Sequence, residues 1–393
     1  MDIHLQEGWK NMIQLPENFE SYGEARKNGF LKMKELKDAG QRIVGTYCSF
    51  VPTELVEAAG GTVVSLCASS EEPISAAEAH LPRNLCPLIK ASYGFGLTDT
   101  CPYFYFSDFI VGETTCDGKK KMFELMNELK ETFVMQLPSA RDEAAVKAWE
   151  GEIRRFWKKL EDFYGITITE EDVRKAIALK NRERDVMLRF LELGKLNPAP
   201  ISGYEMGSRL DSLGFDPDIE HRCRIIEERT EEVLKDWEAN YKGKPSRRPR
   251  ILVTGCPNSG VREKTIRRIE ELGADVVAFD CCNGTREKIE KVDTTLPVTE
   301  ALARKYLNIN CSVMSPNVSR MDYIRDMIDE YQVDGVLELV LQACHTYAIE
   351  AFYVKKTAME KGIPYLNIET DYSTADSGQI NTRLEAFLET IDL

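Results

Sequence analysis

The sequence predicts an α/β protein in which two lobes, each built on a parallel sheet, face one another. Two observations favour this class. Short apolar runs alternate with helical stretches in residues 41–138 and again in residues 246–393, as they do in βαβ units. Between them, residues 139–245 are charged and periodic at helical spacing, which predicts a helical insertion or linker.

Three strands are predicted in the first lobe. They are QRIVGTYC, GTVVSLC and DFIVGETTC, which lead to Cys48, Cys67 and Cys116. The helix CPLIKASYGF begins with Cys86 as its N-cap and Pro87 at its first position, where proline is favoured. Ahead of this lobe, residues 1–40 are predicted to be an amphipathic N-terminal helical segment.

The second lobe repeats this arrangement without repeating the sequence. Its predicted strands are RILVTGC, ADVVAFDCC, DGVLELVLQAC and IPYLNIET, and the first three lead to Cys256, Cys282 and Cys344. Cys311 follows the predicted helix VTEALARKYL. We therefore expect two Rossmann-like lobes that both carry thiols at the carboxyl ends of their strands, where open parallel sheets bind ligands.

Composition and charge limit the function. The 393 residues are 43% hydrophobic and 30% charged, with a formal net charge of −14. This acidic balance disfavours a nucleic acid or an anionic membrane as partner. The basic run Lys119–Lys121 is predicted to be a solvated surface. No apolar run approaches the roughly 20 residues of a membrane helix, and no signal peptide is recognised, so a cytoplasmic protein is expected.

The eleven cysteines do not suggest a disulfide framework, because their number is odd and the expected compartment is reducing. No CxxC pair occurs, which argues against a zinc ribbon or a thioredoxin-like site. A single buried cysteine is usually a packing residue. A set of thiols at strand ends, with few histidines, instead favours iron–sulfur chemistry. Cys223 and Cys281 do not fit this pattern and are predicted to be inert.

Other chemistry has less support. The stretch GCPNSGVREKT lacks the lysine of a phosphate-binding loop, and GFG lacks the third glycine of a dinucleotide fingerprint. His345 stands beside Cys344 and could deliver a proton, although a structural histidine is an equal alternative. Glu338 near the end of a predicted strand is a second candidate proton source. We take these two residues as the candidate catalytic groups.

The segments around the thiols resemble one known family. GTYCSFVPTELVEAAG, NLCPLIKASYGFG, VGETTCDGKKKMFELM and LQACHTYAIE resemble the 2-hydroxyacyl-CoA dehydratase D-component family. In its dehydratases the resemblance implies one [4Fe–4S] cluster on Cys86, Cys116 and Cys344. The additional thiols resemble the double-cubane branch, whose [Fe8S9] unit has six cysteine ligands. The expected ligands, with Cys282 as first alternative, are Cys48, Cys86, Cys101, Cys116, Cys311 and Cys344.

The same resemblance implies the partners. A separate homodimeric activator with its own [4Fe–4S] cluster would hydrolyse ATP and deliver low-potential electrons, and this chain, expected as a homodimer, would reduce a small molecule. One alternative is a subunit of a 2-hydroxyacyl-CoA dehydratase with a single [4Fe–4S] cluster. Another alternative is a non-catalytic metal- or thiol-binding protein.

Overall fold

The computed structural model describes residues 14–282 and 284–391. Two four-stranded parallel sheets confirm the predicted α/β class. The first sheet contains β1 (Arg42–Thr46), β2 (Gly61–Ser65), β3 (Phe109–Glu113) and β4 (Thr132–Met135). The second contains β5 (Arg250–Gly255), β6 (Asp275–Asp280), β7 (Gly335–Leu341) and β8 (Tyr365–Thr370).

Both sheets have the same strand order, β2-β1-β3-β4 and β6-β5-β7-β8. Gly45 of β1 pairs with Val64 on one side and with Ile110 on the other. In each lobe the chain therefore moves outward by one strand and then returns to the opposite side of its first strand. The strand order reverses between β1 and β3, and between β5 and β7. Such switch points are the places where open α/β sheets bind ligands.

Fifteen α-helices are found in the described part of the chain. They are α1 (Glu24–Asp38), α2 (Thr53–Ala58), α3 (Ile74–Ala77), α4 (Pro87–Leu97), α5 (Pro102–Phe106), α6 (Asp117–Leu129), α7 (Glu143–Tyr164), α8 (Glu170–Leu191), α9 (Gly203–Leu213), α10 (Ile219–Asn240), α11 (Arg268–Glu271), α12 (Val298–Leu307), α13 (Val318–Glu330), α14 (His345–Glu360) and α15 (Ser377–Leu388). A π-helical turn, Glu263–Arg267, directly precedes α11.

The long helices α7 and α8 have clear sequence stop and start signals. Gly165 ends α7 in the left-handed conformation, with φ of 63°, which glycine adopts without steric cost. Thr169 then caps α8 in a reciprocal capping box with Asp172. Helix α7 packs against α12 and β4, whereas α8 packs against α2 and α10. The helical region is therefore in contact with elements of both lobes.

Several elements were not predicted from the sequence, among them β4 and the helices α9, α13 and α15. Strand β4 has only four residues, and three of them are half-buried, as befits an edge strand. Helix α9 follows a loop that contains Pro198 and Pro200. The proposed boundaries at residues 40, 138 and 245 stay a prediction. Of the predicted N-terminal helical segment, α1 is observed, and residues 1–13 lie outside the described residues.

The apolar core is shared between the lobes. One continuous cluster of buried side chains includes Ile43 and Ile110 from the first sheet together with Ile251 and Leu337 from the second. Burial of such side chains is the main source of stability, at roughly 1.5–3 kcal/mol for each. The shared core therefore holds the two sheets in a fixed relation.

A buried ionic network also joins the lobes. Arg184 of α8, which is 1% exposed, donates to Glu54 of α2 at 2.7 Å and to Glu287 at 3.0 Å. Glu54 accepts a second hydrogen bond, of 2.8 Å, from the hydroxyl of Tyr306. Burial raises the pKa of Glu54, but the charges of Arg184 and Lys305 more than offset this and lower it overall. The network therefore consists of charged groups held by one another.

In the described part of the chain, no helix is both long enough and apolar enough to cross a membrane.

Candidate functional site

Cysteines lie at both switch points. In the first lobe Cys48 follows β1, and Cys116 follows β3. In the second lobe Cys256 follows β5 directly, and Cys344 follows β7. Since all strands of a sheet are parallel, these thiols share the carboxyl edge of their sheet. The placement that the sequence predicted for these four residues is observed.

Four thiols are positioned at helix N-termini. These N-cap cysteines are Cys86, Cys101, Cys116 and Cys344, which precede α4, α5, α6 and α14. The partial positive charge at a helix N-terminus stabilises a thiolate. Proline occupies the first helical position after Cys86 and after Cys101, where its missing N–H costs nothing. Local sequence therefore places each of these thiols at the start of a helix.

Sulfur atoms of the two lobes meet. The thiol of Cys48 is hydrogen-bonded to Cys282 of the other lobe, and Cys256 is hydrogen-bonded to Cys344. The backbone N–H of Cys48 also donates to the sulfur of Cys67 at 3.3 Å. Beside these contacts, the Tyr372 hydroxyl of the second lobe donates to the Ala68 carbonyl of the first lobe at 3.1 Å. The two thiol-bearing edges therefore form one buried site.

The backbone is strained at two places in this site. Cys48 has a φ of 61° and Ala343, next to Cys344, has a φ of 57°. Residues other than glycine seldom adopt this left-handed conformation, which costs of order 1–3 kcal/mol. Both strained residues follow strands at a switch point. Strained backbone of this kind is common at functional sites, where it holds a side chain in an orientation that an unstrained backbone would not give.

The electrostatics of the site separate the thiols into two kinds. The hydrogen bond from Cys48 lowers the pKa of Cys282 to about 5, despite the opposing effect of burial. The hydrogen bond from Cys256 lowers the pKa of Cys344 to about 7. Burial raises the pKa of Cys86 to about 12 and also raises that of Cys311. A bound metal would favour the deprotonated form of all of these thiols together.

Two buried cations already face the thiols. Lys119 is 7% exposed, and its ammonium lies 3.8 Å from the sulfur of Cys67. Arg286 is 2% exposed, and its guanidinium lies 3.8 Å from the sulfur of Cys282. The prediction that Lys119–Lys121 form a solvated surface is therefore wrong for its first residue. Lys119 lies on the inner face of α6, whereas the next two lysines point outward.

The structure brings most of the predicted ligands together. Negative charge on Cys344 or on Cys116 raises the pKa of the Cys86 thiol, so the three residues lie close together. Negative charge on Cys282 likewise raises the pKa of Cys311. The Cys311 sulfur lies 3.8 Å from the Tyr347 hydroxyl. Cys282, the first alternative in the sequence analysis, thus contacts the site from the second lobe.

The remaining cysteines lie in different surroundings. After burial, the strongest influences on Cys101 are the N–H groups of Phe104 and Tyr103 and the cations Arg26 and Lys130, with no cysteine among them. Cys223 is buried among apolar side chains on α10. Cys281 is buried, and its sulfur lies 3.5 Å from the Asn258 amide nitrogen. The structure thus places the thiols predicted to be inert in packed positions.

The two candidate catalytic residues lie in different environments. His345 is exposed at the start of α14, beside Cys344. Glu338 is fully buried within β7, three residues before the strand ends. It accepts a hydrogen bond of 2.6 Å from Tyr365, and burial raises its pKa. Glu338 thus lies further back in the sheet than the sequence analysis placed it, and its role as a proton source stays a prediction.

Three further residues of the site were missed by sequence reasoning. Tyr47 and Tyr372 are buried aromatic residues next to the thiols, and burial raises the pKa of both hydroxyls. Tyr347, also buried, is hydrogen-bonded to Arg286. The one available signal was position, since Tyr47 adjoins Cys48 and Tyr347 lies three residues after Cys344.

Glu113, the last residue of β3, is a buried residue at the carboxyl edge of the first sheet. One oxygen accepts hydrogen bonds from the backbone N–H groups of Phe50 at 2.8 Å and Val51 at 2.9 Å. The other oxygen has no hydrogen-bond partner among the described residues. Burial raises the pKa of Glu113 from 4.5 to about 7. The folded protein therefore binds this proton more tightly than the unfolded chain does.

We expect the pH dependence of stability to reveal this group. Because the folded pKa is raised, the favourable contribution of Glu113 is complete below its unfolded pKa and is lost as the pH rises through 7. Relative to Glu113→Gln, wild-type protein should lose about 3 kcal/mol of unfolding free energy between pH 4.5 and 8. Urea unfolding of both proteins at several pH values measures this. A difference that does not change with pH would contradict the assignment.

The donor set suits an iron–sulfur cluster. Within residues 14–282 and 284–391, no group of three or more His, Cys, Asp and Glu side chains could hold a metal ion. A cubane, however, binds one thiolate at each of several separate irons, so its ligands surround a core and need not converge on one point. Soft thiolates around a buried, cation-lined site match that requirement. The residues present therefore fit the cluster that the resemblance implies.

Fold and site together define a two-lobed α/β protein with cysteines at facing sheet edges. The 2-hydroxyglutaryl-CoA dehydratase D-component family matches residues 48–391. The chain belongs to this family, which confirms the resemblance drawn from its sequence.

Individual relatives agree with this membership. The chain is 50% identical to the putative dehydratase subunit YjiM of Escherichia coli K12 over 380 residues, covering 96% of this chain and 99% of that protein. It is 26% identical to the (R)-phenyllactyl-CoA dehydratase beta subunit of Clostridium sporogenes, covering 91% and 94%. It is 23% identical to the beta subunit of (R)-2-hydroxyglutaryl-CoA dehydratase from Acidaminococcus fermentans, covering 91% and 95%.

Proposed function

We propose that this chain is an iron–sulfur reductase component that holds a double-cubane [Fe8S9] cluster between its two lobes. The observation that carries the proposal is the number of thiols at the joined sheet edges. A single [4Fe–4S] cluster of this family would use Cys86, Cys116 and Cys344, whereas Cys48, Cys282 and Cys311 form a second set of thiols in this site. A dehydratase subunit with one cluster would leave a second group of buried thiols without a function.

We propose two groups of three ligands. One group is Cys86, Cys116 and Cys344, in which negative charge on Cys344 or Cys116 raises the pKa of Cys86. The other, Cys48, Cys282 and Cys311, is related through Cys282, which is hydrogen-bonded to Cys48 and acts on Cys311. Cys282 replaces Cys101 of the predicted six, because the strongest influences on Cys101 include no other thiol. The charge of Cys282 also acts on Cys344, so the groups adjoin.

Bound between the lobes, the cluster would supply low-potential electrons for reduction of a small molecule. The chain's own residues would bind it through thiolates, exclude water by burial and offset its charge with Lys119 and Arg286. Tyr347 and Arg286 would order the second group, since the guanidinium contacts both the Tyr347 hydroxyl and the sulfur of Cys282. His345 and Glu338 stay our candidates for proton transfer to the substrate.

The partner in this proposal is a separate homodimeric activator that carries a [4Fe–4S] cluster and hydrolyses ATP. This chain has no convincing nucleotide-binding motif in its sequence, which supports a division of labour between two proteins. The relatives from Clostridium and Acidaminococcus are named as beta subunits, so an assembly of several chains is expected, and we propose a homodimer of this one.

Iron and sulfide analysis tests the proposal. Protein purified without oxygen should contain about eight irons and nine sulfides per chain, and its electron paramagnetic resonance spectrum should change on reduction. About four irons per chain would favour the alternative of a dehydratase subunit with one cluster. Colourless protein without iron would favour the non-catalytic alternative and would contradict both cluster-bearing functions.

A further inference from the structure

Lys119 is a buried cation without a carboxylate partner. The residue is 7% exposed, and its nearest polar contact is the Cys67 sulfur at 3.8 Å. Among the described residues, no carboxylate oxygen lies within the 4.0 Å of an ion pair with its ammonium. A buried ammonium without a counter-charge costs several kcal/mol. An anionic group in the space that it faces would offset this cost.

That space is the thiol site. Lys119 lies in the first turn of α6, three residues after the N-cap residue Cys116. Burial acts against its charge, but Cys67, Cys48 and Glu113 outweigh burial and raise the pKa of the ammonium well above its ordinary value. The ring of Tyr47 lies 5.9 Å from the same nitrogen and closes one side of the site. Lys119 is thus aimed at the sulfurs of the first lobe.

The other buried cation of the site is already neutralised. Arg286 forms an ion pair of 3.2 Å with Asp280 and donates to the Asp280 carbonyl at 2.8 Å. Its charge is therefore largely satisfied by protein groups. Lys119 differs, because its contacts are sulfur and an aromatic face.

We propose that Lys119 is a positioning residue that sets the reduction potential of the cluster by placing a fixed positive charge beside the thiol site. This inference rests on the proposed function. A nearby positive charge stabilises the reduced, more negative state of a cluster more than its oxidised state. The residue should therefore raise the reduction potential of the bound cluster, so that an external one-electron donor can reduce it.

The test is a redox titration of holoprotein followed by electron paramagnetic resonance, with dithionite and low-potential mediators, on wild type and three variants. Lys119→Met removes the charge, Lys119→Arg keeps it, and Lys120→Met removes an exposed charge from the same helix, where Lys120 pairs with Asp117 at 3.0 Å. In Lys119→Met the ratio of oxidised to reduced cluster at a given potential should be at least tenfold higher than in wild type. This corresponds to a reduction potential lowered by about 59 mV for one electron. Lys119→Arg and Lys120→Met should remain near wild type.

Iron and sulfide per chain are measured on the same samples. Wild-type protein without iron would overturn the proposed function itself. Loaded Lys119→Met with the wild-type potential would overturn only the inference about Lys119. Loss of iron from Lys119→Met but not from Lys119→Arg would support a need for the charge. Loss of iron from both would show that the lysine acts through packing, and it would overturn the inference.

Discussion

Replacing Cys344 or Cys116 by alanine should remove most of the iron from protein purified without oxygen. Both thiols cap helices at the carboxyl ends of central strands, and both belong to one proposed ligand group. With only two thiolates left in that group, one iron would lose its ligand. Oxygen and nitrogen side chains nearby are harder ligands and replace a thiolate poorly. Iron and sulfide per chain, together with the visible absorption of iron–sulfur charge transfer, measure the loss.

Cys223→Ala is the matched control. Cys223 is more deeply buried than the candidate ligands, at 0% exposed, and it lies in the apolar packing of α10. Its replacement should leave iron content unchanged. If Cys223→Ala and Cys344→Ala have the same iron content, the proposed division between ligands and packing cysteines is wrong. Comparing Cys282→Ala with Cys101→Ala then determines which of these two residues belongs to the second group.

Replacing Asp280 by asparagine should lower the free energy of unfolding by about 3 kcal/mol or more, because it leaves a buried cation without its counter-charge. Asp280 is 0% exposed and pairs with Arg320 at 2.9 Å and with Arg286 at 3.2 Å. These two cations lower its pKa to about 2 in spite of burial. Urea unfolding at neutral pH measures the change.

The pH dependence gives this prediction a second test. Since the folded pKa of Asp280 is depressed, its contribution is present above its unfolded pKa and is lost as the pH falls toward 2. The difference between wild type and Asp280→Asn should therefore be constant between pH 5 and 8. Asp322→Asn removes an exposed partner of Arg325 at 2.7 Å and should change stability by less than about 0.5 kcal/mol. Equal effects of the two variants would contradict the prediction.

Much of the fold could be predicted because buried parallel strands give strong signals. Runs such as RILVTG and GVLELVL are buried along their whole length, so they read as continuous apolar segments. Strand β4 carries less information, since edge strands bury little and the run TFVM is short. Helix α9, with Gly203 and Gly207 packed closely against neighbouring groups, owes its place to tertiary contacts. Such contacts leave no periodic pattern in a sequence.

The site was predictable in its thiols but less so in its cations. Strand ends and helix starts located the cysteines, because those positions are defined by local sequence. The burial of Lys119 was not predictable from three consecutive lysines, since only the rotation of α6 decides which one points inward. The same is true of the link between Cys48 and Cys282, which depends on how two lobes pack across more than 200 residues of chain.

The Arg184 network has a mechanical consequence. If the lobes moved apart, Glu54 on one side and Glu287 on the other would each lose a partner that is now within 3.0 Å. Breaking buried pairs of this kind costs about 3–5 kcal/mol, so hinge opening is heavily disfavoured. The network thereby keeps the two thiol-bearing sheet edges at a fixed distance, so a bound group is held in the same geometry in every molecule.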